Sequence, residues 1–186
     1  LNHALQEKAQ RVQKTKGRSP LPLIISVDYE GGQVNRLQET YGFPNTYSQQ
    51  AVGQQSLATA HKVATQMAYT LKQIEFNLNF SPVLDVNTNL ENPIIAQKER
   101  SFSTSPVKVS EYGWVYGRAF TQNGIQCAYK HFPGHGSSTG DSHLGFVDVS
   151  ETWQSMELYP FQMLIHEPTR CGLVMTAHIV NKQLDD

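Results

Sequence analysis

The sequence predicts an α/β fold: a (β/α)8 TIM barrel of which this chain covers roughly half, about four strand–helix units. Three observations predict it. Short apolar runs alternate with longer segments of helical periodicity. Each run carries polar residues just past its C-terminal end: Asp28, Asp85, Lys130-His131 and His178. That end is where parallel barrels place their active sites. No GxGxxG follows the first run and no P-loop occurs, which argues against a nucleotide-binding doubly wound sheet. A closed barrel typically needs ~250 residues, whereas the chain has 186. The other strands are therefore expected outside this chain.

Each element has its own signal. Residues 1–16 are polar with good helix formers and predict an outer helix. Leu21 to Val27 (LPLIISV) predicts a short buried strand. In residues 51–75, Leu57, Ala60, Ala64, Met67, Leu71 and Ile74 form the apolar stripe of an amphipathic helix. Asn77 to Val86 (NLNFSPVLDV) predicts a second strand running into a loop, since Pro82 has no N–H for a central ladder. Ser105-Pro106 opens the next helix as an N-cap followed by proline at the first helical position, and Gly124 ends it. Ile125 to Tyr129 is a third strand. Residues 150–166 predict a helix capped by Ser150, with Leu158, Phe161 and Leu164 facing inward. Gly172 to Ala177 (GLVMTA) is the fourth strand, ending at His178.

Composition removes several function classes. A net charge of −1, with 17% charged residues, offers no footprint for nucleic acid or an anionic membrane. No apolar run approaches the ~20 residues of a membrane-spanning helix. Cys127 and Cys171 are too few for a disulfide framework and sit in apolar segments, so both are expected as buried free thiols.

The chemistry concentrates in KHFPGHGSSTGDSH, Lys130 to His143. Its glycines and Pro133 exclude a regular helix. One reading is a zinc site from His131, His135, Asp141 and His143, but no HExxH supports it. A second is acid/base work. Asp141 and His143 are two apart, so in an extended segment they point the same way. A carboxylate there would fix the imidazole tautomer. The plainer reading leaves Asp141 capping a turn and His143 on the surface. Lys130 and His131, at a strand end, can donate hydrogen bonds to hydroxyls, or Lys130 can pair with a neighbouring carboxylate. In VDYEGGQVNRL, Asp28 leaves the first strand and Arg36 offers a fork of donors. ERSF adds Arg100. Either arginine alone could also be a surface ion pair of little energetic weight.

Taken together and in order, VDYEGGQVNRL, FSPVLDVN, ERSFS, KHFPGHGSSTGDSH and VMTAH resemble the family 3 glycoside hydrolases. The closest branch is the β-N-acetylglucosaminidases of bacterial peptidoglycan recycling. These stretches lie between Leu21 and His178. The resemblance implies that residues 1–186 are a partial N-terminal catalytic barrel domain with a retaining mechanism. It makes His143 and Asp141 the acid/base dyad on a mobile loop. It makes Asp28, Arg36, Arg100, Lys130 and His131 the residues that hold the terminal sugar, and His135 a residue that shapes the loop. No cofactor or metal is implied. The partner is a carbohydrate, an N-acetylglucosaminide. The family's nucleophilic aspartate has no matching segment, because Asp185 and Asp186 stand in the wrong context. The chain alone is therefore expected to be inactive and to self-associate through its missing barrel half. A cytoplasmic location is implied, with a secreted or periplasmic one as the alternative. The alternative functions are a β-glucosidase-type family 3 hydrolase and an inactive carbohydrate-binding barrel.

Overall fold

The computed structural model describes residues 1–185. The chain runs through α1 (Asn2–Thr15), β1 (Ser26–Val27), β2 (Tyr29–Gly31), β3 (Val34–Asn35), α2 (Gln49–Gly53) and α3 (Leu57–Gln73). It continues through β4 (Leu78–Asn79), α4 (Pro106–Gln122), β5 (Gln126–Phe132), α5 (Tyr159–Leu164) and β6 (Leu173–Thr176). Strands β1, β4, β5 and β6 form one parallel sheet in that order. Successive strands are spatial neighbours, and the order does not reverse among the described residues. Strands β2 and β3 form a separate antiparallel hairpin just past the C-terminal end of β1.

The long inner helices begin where their caps dictate. The Ser56 side chain accepts the N–H of Thr59, and the Ser105 side chain accepts that of Lys108. Helix α3 buries Ala60, Ala64, Met67 and Leu71 of the predicted stripe, while Ile74 is partly buried just past its end and Leu57, at its start, is exposed. It packs on α4, which packs in turn on α5 and β5. Between them lies a core that includes Leu84, Phe102, Val109, Tyr116, Phe120, Tyr129 and Phe161. Helix α1 buries no residue, as an outer helix should.

Four expectations need correction. Cys127 and Cys171 are buried, but they form a disulfide rather than two free thiols. The parallel register of β5 with β6 brings their Cα atoms to 4.7 Å. The first strand is only Ser26–Val27, with Leu21 and Ile24 exposed. The backbone before it bonds to side chains instead of a ladder: Gln6 accepts from the Leu23 N–H, and Asn77 from the Ile25 N–H. The second strand is cut to Leu78–Asn79 for the same reason. The Asn79 amide takes both backbone groups of Tyr29, and the Gln49 amide takes both of Val83. The helix predicted over 150–166 shrinks to Tyr159–Leu164, behind a 3-10 turn at Ser155–Leu158. Ser150 caps nothing there; its hydroxyl donates to Asp148 Oδ1. Phe161 and Leu164 do face inward.

Candidate active site

The C-terminal end of the sheet holds four charged side chains in one cluster. Glu30, two residues beyond Asp28, turns into the interior and is almost fully buried. Arg100 grips it in a fork, with Nε donating to Oε2 at 2.8 Å and Nη2 to Oε1 at 2.7 Å. Lys130, at the end of β5, places Nζ 2.6 Å from Glu30 Oε1 and 2.9 Å from Asp28 Oδ1. Burial would raise the Glu30 carboxyl, but the Lys130 and Arg100 charges outweigh it and hold the carboxyl below its usual range. Gly31 makes room for this turn. Its φ is +96°, and a Cβ there would lie 2.1 Å from the Tyr47 carbonyl oxygen.

His131 sits over the cluster with both ring nitrogens engaged. Nη2 of Arg100 lies 3.2 Å from Nε2, and a guanidinium can only donate, so Nε2 accepts. The proton is therefore on Nδ1, facing Asp85 Oδ2 at 2.6 Å. Burial pushes the His131 pKa down, with Arg100 and Lys130 adding to it against the pull of Asp85. A neutral imidazole follows. Asp85 is fully buried. That alone would raise its carboxyl, yet His131 and the His135 N–H hold it low. Its Oδ1 also accepts the backbone N–H groups of His131 (3.2 Å) and His135 (2.8 Å), so one carboxylate pins the root of the loop.

Beyond that root the loop turns outward. His143 Nδ1 is 2.8 Å from Asp141 Oδ1, which also accepts the His143 backbone N–H at 2.9 Å. These bonds, the backbone one foremost, lower the Asp141 pKa. The His143 side chain is 74% exposed, so the dyad is formed but stands open to solvent. A cavity of about 450 Å³ is lined by Asp28, Arg36, Arg100, Lys130, His131 and the Asp141–His143 pair. All seven predicted site residues thus line one cavity. Asp141 is therefore both a turn cap and a histidine partner, and the two sequence readings of it coexist.

The sequence reading missed Glu30, whose signal was its two-residue spacing from Asp28. It noted Asp85 only as a strand-end residue. His131 also differs from expectation, since its outward nitrogen is an acceptor engaged by Arg100. Among the described residues, no group of three or more His, Cys, Asp or Glu side chains is arranged to hold a metal ion.

The chain is similar to several known proteins. Beta-hexosaminidase A of Pseudoalteromonas piscicida is 38% identical over 192 residues, covering 100% of this chain and 31% of that protein. The solved structure of NagZ from Neisseria gonorrhoeae, in complex with N-trifluoroacetyl-D-glucosamine, superposes with a TM-score of 0.82 at 30% identity, over 98% of this chain and 53% of that one. The beta-N-acetylhexosaminidase of Beutenbergia cavernae gives a TM-score of 0.84 at 26% identity, over 97% and 54% of the two chains. The chain thus spans between 31% and 54% of the length of these relatives. The glycosyl hydrolase family 3 N-terminal domain matches residues 2–186, and with its motifs gathered at one end of a parallel sheet the chain belongs to that family.

Proposed function

We propose that residues 1–186 are part of the catalytic barrel of a retaining glycosidase. It removes terminal β-linked N-acetylglucosamine from peptidoglycan fragments or related oligosaccharides. The observation that carries this reading is the His143–Asp141 pair, 2.8 Å apart, at the mouth of a cavity lined by carboxylate, guanidinium and ammonium groups. With Nδ1 held toward Asp141, Nε2 of His143 is the atom that exchanges protons with substrate. It donates to the glycosidic oxygen as the C1–O bond breaks and a carboxylate from outside this chain bonds to C1. It then takes a proton from the water that displaces that carboxylate. Asp28, Arg36, Arg100, Lys130 and His131 hold the terminal sugar whose C1 bears the scissile bond. The relatives' names as hexosaminidases support the acetamido sugar over glucose.

The test uses the full-length protein. Hydrolysis of an aryl β-N-acetylglucosaminide and an aryl β-glucoside is compared, beside His143→Ala. Preference for the acetamido sugar is expected, with a loss of about 10²–10⁴-fold in the variant. Equal activity on both sugars, indifferent to His143, would overturn the reading.

The Cys127–Cys171 disulfide favours the secreted or periplasmic alternative over the cytoplasmic one, because disulfides persist in oxidising compartments. Fractionation of producing cells, with the protein recovered only from cytosol and with both thiols reduced, would refute that location.

A further inference from the structure

The loop that carries the dyad is pinned at both feet and free between them. Upstream, His135 is 1% exposed, and its backbone is held on both sides. Its N–H donates to Asp85 Oδ1 at 2.8 Å, and its carbonyl accepts from Asn92 Nδ2 at 2.8 Å. The next N–H, of Gly136, donates to Glu157 Oε2 at 2.9 Å. A Cβ on Gly136 would sit 1.7 Å from the Val86 carbonyl oxygen, so the root is packed directly on its neighbour. Downstream, Val147 is buried with Val149 and Trp153. Between these feet, Leu144 is 87% exposed and Phe146 80%.

Among the described residues, one hydrogen bond crosses from the free part to the pinned body. Nε2 of His135 is 3.0 Å from Oγ of Ser142, the residue between the two dyad members. Among the described residues, the other hydrogen bonds of Asp141–Phe146 stay within the loop. His135 Nδ1 is buried without a hydrogen-bond partner among the described residues, so Ser142 is the one polar contact of that imidazole. A buried polar nitrogen left without a partner is costly. The position of the loop that satisfies Nε2 is therefore favoured over positions that abandon it.

We propose that Ser142 and His135 are positioning residues: their hydrogen bond latches the His143–Asp141 dyad to the rigid floor of the site. This rests on the glycosidase reading above. A general acid works only within hydrogen-bond reach of the oxygen that it protonates. The dyad fixes the orientation of the His143 ring, but both of its members lie on the same free segment. The latch is the hydrogen bond that ties that segment to the floor beneath the groups that hold the sugar.

The latch predicts a dependence on the leaving group that a merely structural serine would not show. A sugar leaving group needs the proton from His143, whereas a dinitrophenolate leaves without it. In the full-length enzyme, Ser142→Ala is expected to lower kcat/KM for a disaccharide by about 10-fold or more. The value for the 2,4-dinitrophenyl glycoside should fall far less, and Ser142→Thr, which keeps the hydroxyl, should restore most of the loss. Hydrogen exchange at 139–146 should be faster in Ser142→Ala, with exchange elsewhere unchanged. Equal losses on both substrates, or unchanged loop exchange, would overturn the latch. If the unsubstituted enzyme hydrolyses neither substrate, the glycosidase reading fails, and loop exchange alone then decides whether the latch exists.

Discussion

Glu30 shows how one buried carboxylate organises two cations, Lys130 and Arg100, for which the sequence left both sugar binding and ion pairing open. It is 1% exposed and accepts from Arg100 and Lys130 together. Removing it leaves both cations desolvated with less compensation, at a cost of about 3–5 kcal/mol for a broken buried pair. Glu30→Ala should show that loss in urea unfolding, and an unchanged midpoint would refute the role. The pH dependence has a definite sign. Glu30 and Asp85 have folded values below their ordinary 4.5 and 3.8. As pH falls, the unfolded chain takes up these protons first. The stability they contribute is present above the unfolded values and lost as pH falls through the depressed folded ones. Glu157 acts the other way. Burial holds its proton to higher pH, so its share of stability grows on acidification. Unfolding midpoints measured from pH 7 downward should therefore fall in acid, and fall less steeply in Glu30→Gln.

Strands β5 and β6 flank the loop that bears Asp141 and His143, and the disulfide staples their starts. Cys127 and Cys171 are 44 residues apart in sequence, and the segment they close contains the whole loop that carries the proposed acid/base dyad. Closing a loop of that size restricts the unfolded chain, and losing such a bond typically costs about 2–5 kcal/mol. Cys127→Ala with Cys171→Ala should lower the thermal midpoint accordingly. A midpoint equal to that of the oxidised protein, under oxidising conditions, would show that the bond does not form. Helix α4 shows why some elements were readable. Its cap, its proline and its terminating glycine are local signals that the chain carries itself. The short β1 and β4 were not readable, because asparagine and glutamine side chains from other segments took the ladder's hydrogen bonds.

Across the whole molecule, apolar side chains stand in the open on the outer strand β6 and on the segment leading into β1. Leu21, Ile24, Leu173 and Val174 are all exposed. Outer strands with free edges and apolar faces invite pairing with another chain. The isolated chain is expected to associate with rising concentration in sedimentation velocity, and to hydrolyse no aryl β-N-acetylglucosaminide. A monomer at every concentration tested would remove the first expectation, and measurable turnover by the purified chain would remove the second. In the full-length protein, the proposed remaining strands would cover these faces and supply the nucleophile.

By itself, the sequence determined the alternation of strands and helices, the cap of α4, and most of the charged residues around the cavity. These follow from periodicity, from local capping chemistry and from motifs, all of which are properties of neighbours in the chain. Tertiary structure alone decided which partners the polar groups chose. Glu30 meets Arg100 across 70 residues, Asp85 meets His131 across 46, and Cys127 meets Cys171 across 44. Those pairings depend on strand register and on which groups are denied water. A buried charge or polar nitrogen must take whatever partner the fold brings within reach.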